Sequence, residues 1–216
     1  MTLRAGILLT LLACVFLPAS ARGQERQEPA QATPVQPGQR REQPEPSTYV
    51  FPSGKERARY WVKRTMGPTA FVGATMGATW GTWVLNEPEE WGKGGEGFGR
   101  RFGTSLATNG INQTSLALIS EATRQDSAYY RCPCSGFGRR LGHVLKMTFM
   151  GRNRKGDMVF SPGKVVSPFI GPMVTRNTLY PDRYGPGDAA LSGVYGIGVN
   201  AAWNFAFEFF LPAKRW

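Results

Sequence analysis

The chain has 216 residues and carries 26 Lys and Arg against 15 Asp and Glu, a formal net charge of +11. It contains a single histidine and three cysteines. A zinc site at Cys132 and Cys134 would need two more ligands, and only His143 is near, so no metal and no cofactor is expected. No G-x-S-x-G, no HExxH and no recognisable Cys–His spacing is present.

The chain opens on an export signal. "MTLRAGILLTLLACVFLPASARGQ" joins Arg4, an apolar run from Ala5 to Leu17 and the small-residue site Ala19-Ser20-Ala21. These are the parts of a secretory signal peptide, and the apolar run is too short for a spanning helix. Cleavage is expected after Ala21, so residues 1–21 form the signal peptide. The rival reading is lipid attachment at Cys14, because "LLAC" faintly resembles a lipobox. Residues 22–48 are rich in Gln, Pro, Glu and Arg. They bury too little apolar surface to offset their ordering entropy and are expected to form a disordered linker. Residues 49–216 are long enough for one domain with its own core. Export separates the basic charge from nucleic acid, so no nucleic-acid partner is expected. Anionic lipid headgroups and envelope polymers are the acidic partners at hand in the periplasm or at the outer membrane.

"SGKE" at Ser53–Glu56 spells a capping box. Ala58, Trp61, Val62 and Thr65 follow at helical spacing, and Gly67-Pro68 ends that helix and opens the next. Residues Thr69 to Leu85 carry no charge, and Asn86 and Pro88 stop them. Gly73, Gly77 and Gly81 lie four apart. Glycine costs about 1 kcal/mol in a helix interior, so this register predicts close approach of another backbone.

"WGKGGEGFGRRFG" at 91–103 contains G-x-G-x-x-G at Gly92, Gly94 and Gly97. No apolar strand precedes it, which argues against a dinucleotide loop. Gly95, Gly99 and Gly103 form a second four-residue register, with Phe98, Phe102 and Leu106 beside it. This predicts a helix whose glycine face packs on the first one, with Arg100 and Arg101 pointing away. The helix continues to about Gln125, with Asn109–Gly110 as the point where it could break. Ser135 can cap a further helix whose apolar face is Phe137, Leu141, Val144, Leu145 and Thr148. Arg139, His143 and Lys146, with Arg140 alongside, form a basic face. Arg100, Arg101, Arg139, Arg140, His143 and Lys146 are the candidate anion contacts. The two cysteines leave three readings open: a small-ring disulfide, a bridge to another chain, or free thiols.

"GRNRKGDM" is a basic turn. The prolines of 162–186 predict short helices and extended loops. The last segment, 191–211, has two readings. Tyr195, Ile197, Val199, Trp203, Phe205, Phe207 and Phe209 alternate, and with the terminal Trp216 they suit an outer-membrane barrel strand. Ser192, Gly196, Asn200, Asn204 and Glu208 recur every four residues and suit a helix with a small, polar stripe. The runs Ala201-Ala202-Trp203 and Phe209-Phe210 break the alternation, which favours the helix.

"GKERARYWVKRTMGP", "NEPEEWGKGGEGFGRRFG", "FGRRLGHVLKMTFMGRNRKG" and "NFAFEFFLPAKRW" together resemble uncharacterised secreted proteins of acidobacteria and related environmental bacteria. The resemblance covers most of 54–216. It implies export and a helical, small-residue-rich fold, and no activity. Where that family has an Asp-Pro-Arg-Tyr-Phe-Arg type segment, this chain has "DSAYYRCPC", so the cysteines look peculiar to it.

The expected fold is all-α, a bundle of about five to six glycine-faced helices. The expected function is a non-enzymatic envelope protein, embedded in or peripheral to a membrane, with self-association into a homo-oligomer left open. An outer-membrane β-barrel is the first alternative. An envelope glycan hydrolase is the second, with Glu90 and Glu96 as acids and Glu121 or Asp126 as the second carboxylate.

Overall fold

A computed structural model describes residues 49–211, which lie within one compact unit. The signal peptide, Cys14, the linker 22–48 and the terminal Trp216 fall outside the described residues.

The capping box is present. The Glu56 N–H donates to Ser53 Oγ at 3.4 Å, and the Ser53 N–H donates to Glu56 Oε2 at 2.7 Å. It opens α1 (Gly54–Met66), which Gly67 ends and Pro68 restarts as α2 (Pro68–Thr79). α2 runs on into a π-helical turn, Trp80–Leu85, closed by Asn86 at φ 52°. Asparagine tolerates that left-handed conformation better than most residues. A 3-10 turn, Glu89–Trp91, leads into α3 (Gly95–Thr123). α3 is unbroken at Asn109–Gly110. α4 (Phe137–Phe149) is capped by Gly136 at φ 91°, one residue after the serine expected there. The basic turn is the tip of a hairpin, β1 (Met150–Arg152) antiparallel to β2 (Met158–Phe160), with Gly151 opposite Val159.

Two expectations are corrected or decided. The proline-rich segment is one helix, α5 (Pro162–Leu179), with Pro168 and Pro172 inside it. The prolines are four apart, so the N–H that Pro172 lacks is the one that would bond Pro168's carbonyl. Both are buried, and Pro168 packs under Gly196 of the next helix. That next helix is α6 (Pro186–Phe209), so the alternating aromatics do not form a strand. Among the described residues the only sheet is the two-stranded hairpin. The fold is an all-α bundle and not a barrel.

α3 is the central helix. α1 and α2 run antiparallel along it, from Arg57 beside Glu121 at one end to Gly81 beside Arg101 at the other. α5 runs antiparallel along another side, with Gly163 at Leu116 and Ile119, and Gly171 at Asn112 and Thr108. α6 packs on α5 through Gly193 and Phe169. Apart from Val144 and Met147 of α4, the interior is made largely of small and polar residues. Ala70, Ala74 and Ala78 of α2, Thr82 in the π turn, Thr104 and Ser120 of α3, and Ser167 and Thr175 of α5 are all buried. Thr175 donates to the Gly171 carbonyl at 3.0 Å and meets Thr108 Oγ1 at 2.9 Å. Large side chains point outward instead. Phe71, Met76, Trp83, Leu191 and Val199 are all close to half exposed.

The close contacts are real, but they fall partly on other residues than expected. α2 turns its alanine stripe to α3, and a Cβ at Gly73 would meet open space. Gly77 and Gly81 flank that stripe beside Ser105 and Arg101. Gly95, Gly99 and Gly103 face outward, with nothing within 4 Å of a Cβ at any of them. Among the glycines that a side chain would break are Gly97, against the Trp91 and Gly92 carbonyls, Gly171, against Asn112, and Gly193, against the Phe169 ring. The first register therefore meets α3 at Gly77 and Gly81 but not at Gly73, and the second is set two residues away from its contact at Gly97.

Candidate functional site

The segment 124–136 crosses the base-rich end of the bundle. Arg124 ends α3 in the left-handed region, at φ 53°, and the chain then runs without regular secondary structure apart from one isolated bridge, Asp126 to Arg152. Tyr129 and Tyr130 lie side by side in it, and each reaches a different buried carboxylate.

Tyr130 OH donates to Asp126 Oδ2, and Tyr49 OH donates to the same oxygen at 3.1 Å. The Ala128 N–H donates to Asp126 Oδ1 at 2.9 Å. Arg152 lies over the Tyr49 and Tyr130 rings at 5.3 and 5.1 Å. Burial first, and then the Asp126 charge and hydrogen bond, push both phenols above the usual tyrosine range.

Tyr129 OH donates to Glu208 Oε2 at 2.8 Å, and the Cys132 N–H donates to it at 3.1 Å. Arg140 Nε donates to Glu208 Oε1 at 2.7 Å, and Arg140 Nη2 donates to the Glu208 main-chain carbonyl. Burial alone would raise the Glu208 carboxyl. The hydrogen bonds from Arg140, Tyr129 and Cys132 outweigh it and hold the group below the usual carboxylate range. Below this cluster Lys164 caps the end of α4, donating to the carbonyls of Met147 at 2.7 Å and Met150 at 2.8 Å. Burial pushes its ammonium down to about 7, against the opposing pull of Asp126.

Cys132 and Cys134 are bonded to each other, which decides among the three readings of the cysteines. Among the described residues no three of His, Cys, Asp and Glu are grouped as metal ligands.

The candidate anion contacts are not one patch. Arg101 is only 4% exposed and does not point away. It donates to the carbonyls of Glu87 at 2.8 Å, Pro88 at 2.6 Å and Gly92 at 2.7 Å. It therefore clamps the α2–α3 connection and is closed to an external anion. Arg100 is exposed and paired with Glu96 at 2.7 Å. Arg140 is committed to Glu208. His143 is not a solvated base, because its Nε2 lies 2.8 Å from the Tyr130 carbonyl oxygen. Arg139 and Lys146 are exposed. Sequence reasoning missed Tyr129, Tyr130, Asp126 and Lys164 as a buried polar group; the adjacent tyrosines between Asp126 and the cysteines were the available signal.

The acids proposed for hydrolysis do not meet. Glu90 pairs with Arg183 at 3.0 Å and Glu96 pairs with Arg100. Glu121 and Asp126 lie at the far end of α3, about 35 Å away at 1.5 Å per residue. Glycosidase carboxylates stand within about 10 Å of each other. A groove of 340 Å³ between α1 and α3 is lined by Tyr60, Trp61, Leu116 and Ala117. Its acids are already engaged, Glu56 by Ser53 and Glu121 by Arg57 at 2.5 Å.

No protein-family model, curated protein or solved structure matches this chain.

Proposed function

We propose that the helical domain is a membrane-binding component of the cell envelope rather than a hydrolase. The observation that carries this reading is the inverted side-chain distribution. Small and hydroxyl residues fill the helix contacts, while Phe71, Val72, Met76, Trp83, Val84 and Leu85 leave the outer face of α2 and its π turn about half exposed. The same holds for Leu191, Val194, Tyr195 and Val199 of α6. Exposed apolar surface of this extent marks an interaction face, and packing through small residues is what helices use where lipid gives no hydrophobic drive.

Charge supports the same reading. No charged residue lies between Met66 and Asn86, between Arg101 and Glu121 in α3, or between Asp188 and Glu208 in α6. Bases concentrate on α1, α4 and the hairpin, where Lys55, Arg59, Arg139, Lys146, Arg154 and Lys155 outnumber the acids. Among the described residues no helix is long and apolar enough to cross a membrane. An interfacial arrangement fits these facts. The uncharged faces dip into the acyl boundary, and the basic elements lie on anionic headgroups. The signal peptide read at 1–21 supplies the route to the envelope.

Flotation with vesicles tests this. Binding to phosphatidylglycerol-containing vesicles that survives a high-salt wash is expected, since the apolar contact is not screened. A protein that stays unbound with both anionic and zwitterionic vesicles would sink the reading. A stable dimer under those conditions would mean that a second copy covers the apolar face.

A further inference from the structure

A membrane-binding role leaves the Cys132–Pro133–Cys134 loop without a purpose. Its two Cα atoms lie 5.1 Å apart, joined by the disulfide. A bridge that closes so small a loop removes little freedom from the unfolded chain, because loop-closure entropy grows with loop length. The surrounding fold is secured by other bonds. Tyr129 and the Cys132 N–H hold Glu208. Arg131 Nη2 donates to the carbonyls of Phe207 at 3.0 Å and Leu211 at 2.5 Å. The bridge is thus a poor staple in a place that does not need one.

The same surroundings favour its opened form. The Cys134 N–H donates to Cys132 Sγ at 3.3 Å, and that contact strengthens when the sulfur is a thiolate. Cys134 stands two residues before Gly136, the N-cap of α4, and a helix N-terminus stabilises a nearby thiolate. Arg131 Nη2 bonds carbonyls and Arg139 Nη2 bonds Ser135 Oγ at 3.3 Å, neutral acceptors that leave the positive charge of each beside the loop. The nearby acid, Glu208, is matched by Arg140. A dithiol whose thiolates are stabilised makes its disulfide a stronger oxidant. Phe137, its ring tilted against that of Phe209 with centroids 5.3 Å apart, is 63% exposed and offers apolar surface next to the loop.

We propose that the Cys132–Cys134 disulfide is a thiol–disulfide exchange site that oxidises paired cysteines of an unfolded polypeptide. A substrate thiolate attacks Cys134 Sγ, and Cys132 leaves as a thiolate held by the Cys134 N–H. The substrate's second thiolate then attacks its own sulfur in the mixed disulfide, and Cys134 leaves. Two substrate thiols become one disulfide, Cys132 and Cys134 become a dithiol, and the two protons released by the substrate pass to them or to solvent. The oxidant is the disulfide itself, for one turnover per chain. This inference goes beyond membrane binding and stands without it.

The test begins with the unaltered protein. It is equilibrated in glutathione buffers of varied ratio, alkylated and cut with trypsin, and the peptide 132–139 is weighed. The expected result is a dithiol that becomes populated while oxidised and reduced glutathione are both present at millimolar levels. A peptide still bridged in reduced glutathione alone overturns the proposal. The protein is next mixed with reduced, unfolded ribonuclease. Loss of two ribonuclease thiols per chain is expected, slowed in Phe137→Ser while reduction by glutathione is unchanged. A loss no greater than with the Cys132→Ser/Cys134→Ser double variant overturns it as well.

Discussion

Arg140 Nε meets Glu208 Oε1 at 2.7 Å across 68 residues of chain. Glu208 is fully buried, and Arg140 keeps 28% of its side chain exposed. The pair ties the start of α4 to the end of α6, and through Tyr129 and Cys132 it also fixes the segment between α3 and α4. Glu208→Gln leaves Arg140 without its counter-charge. Breaking such a pair costs about 3 kcal/mol or more, whereas replacing both partners by apolar residues is much milder. Urea unfolding of Glu208→Gln and of the double variant Arg140→Met/Glu208→Leu should show the double variant as the more stable. Glu208 titrates below its unfolded value, so its contribution is present above the ordinary carboxylate range. It is lost as pH falls through the lower folded value.

Arg101 and Arg100 are neighbours with opposite fates. Arg101→Met takes the donor from three carbonyls, that of Pro88 buried and those of Glu87 and Gly92 half-buried, and should lower stability by roughly 2–4 kcal/mol. Arg100→Met removes only an exposed pair with Glu96 and should cost less than about 1 kcal/mol. Thermal unfolding of the two variants side by side gives the comparison. Equal losses would mean that the clamp on the 87–92 connection contributes nothing.

The glycines of the same stretch divide in the same way. A Cβ at Gly97 would run into the Trp91 and Gly92 carbonyls, which belong to the backbone and yield only if the turn moves. Gly97→Ala should therefore destabilise, in spite of alanine's gain of about 1 kcal/mol in helix propensity. Gly99→Leu should be tolerated, because nothing lies within 4 Å of that position. A folded Gly97→Ala together with an unfolded Gly99→Leu, judged by circular dichroism, would reverse the assignment of the packed face.

Lys164 gives the fold a pH dependence of unusual sign. Its folded pKa is pushed down to about 7 by burial. Above that pH the folded state has released the proton while the unfolded lysine still holds it, up to about 10.4. Stability should therefore rise from about pH 7 towards pH 10, with a slope of up to about 1.4 kcal/mol per unit. Past pH 10 the raised phenols of Tyr129 and Tyr130 act in the opposite sense, since the unfolded tyrosines ionise first. Denaturant midpoints measured across this range should lose the rise in Lys164→Met. A flat profile in the unaltered protein would show that the ammonium is not desolvated.

Local chemistry made part of this protein legible from its sequence. Ser53 with Glu56, Gly67 with Pro68, and Asn86 act within a few residues of chain, so their capping and stopping roles could be read directly. The four-residue polar stripe of α6 likewise outweighed the alternation of its aromatics, and the segment is a helix. The period of a small-residue register shows that a helix has a narrow face. It does not show which of two adjacent faces meets a neighbour, because alanine and glycine both allow close approach. Ala70, Ala74 and Ala78 took the contact beside Gly73, and Gly97 took it beside Gly95 and Gly99. The prolines of α5 misled for a similar reason: their cost within the chain is local, while the groove under Gly196 that receives Pro168 lies on another helix. The pairing of Tyr129 with Glu208, of Tyr130 with Asp126, and of Arg101 with three carbonyls joins residues far apart in sequence. Burial decides whether such a charge binds the protein itself or something outside it, and burial is a property of the assembled tertiary structure alone.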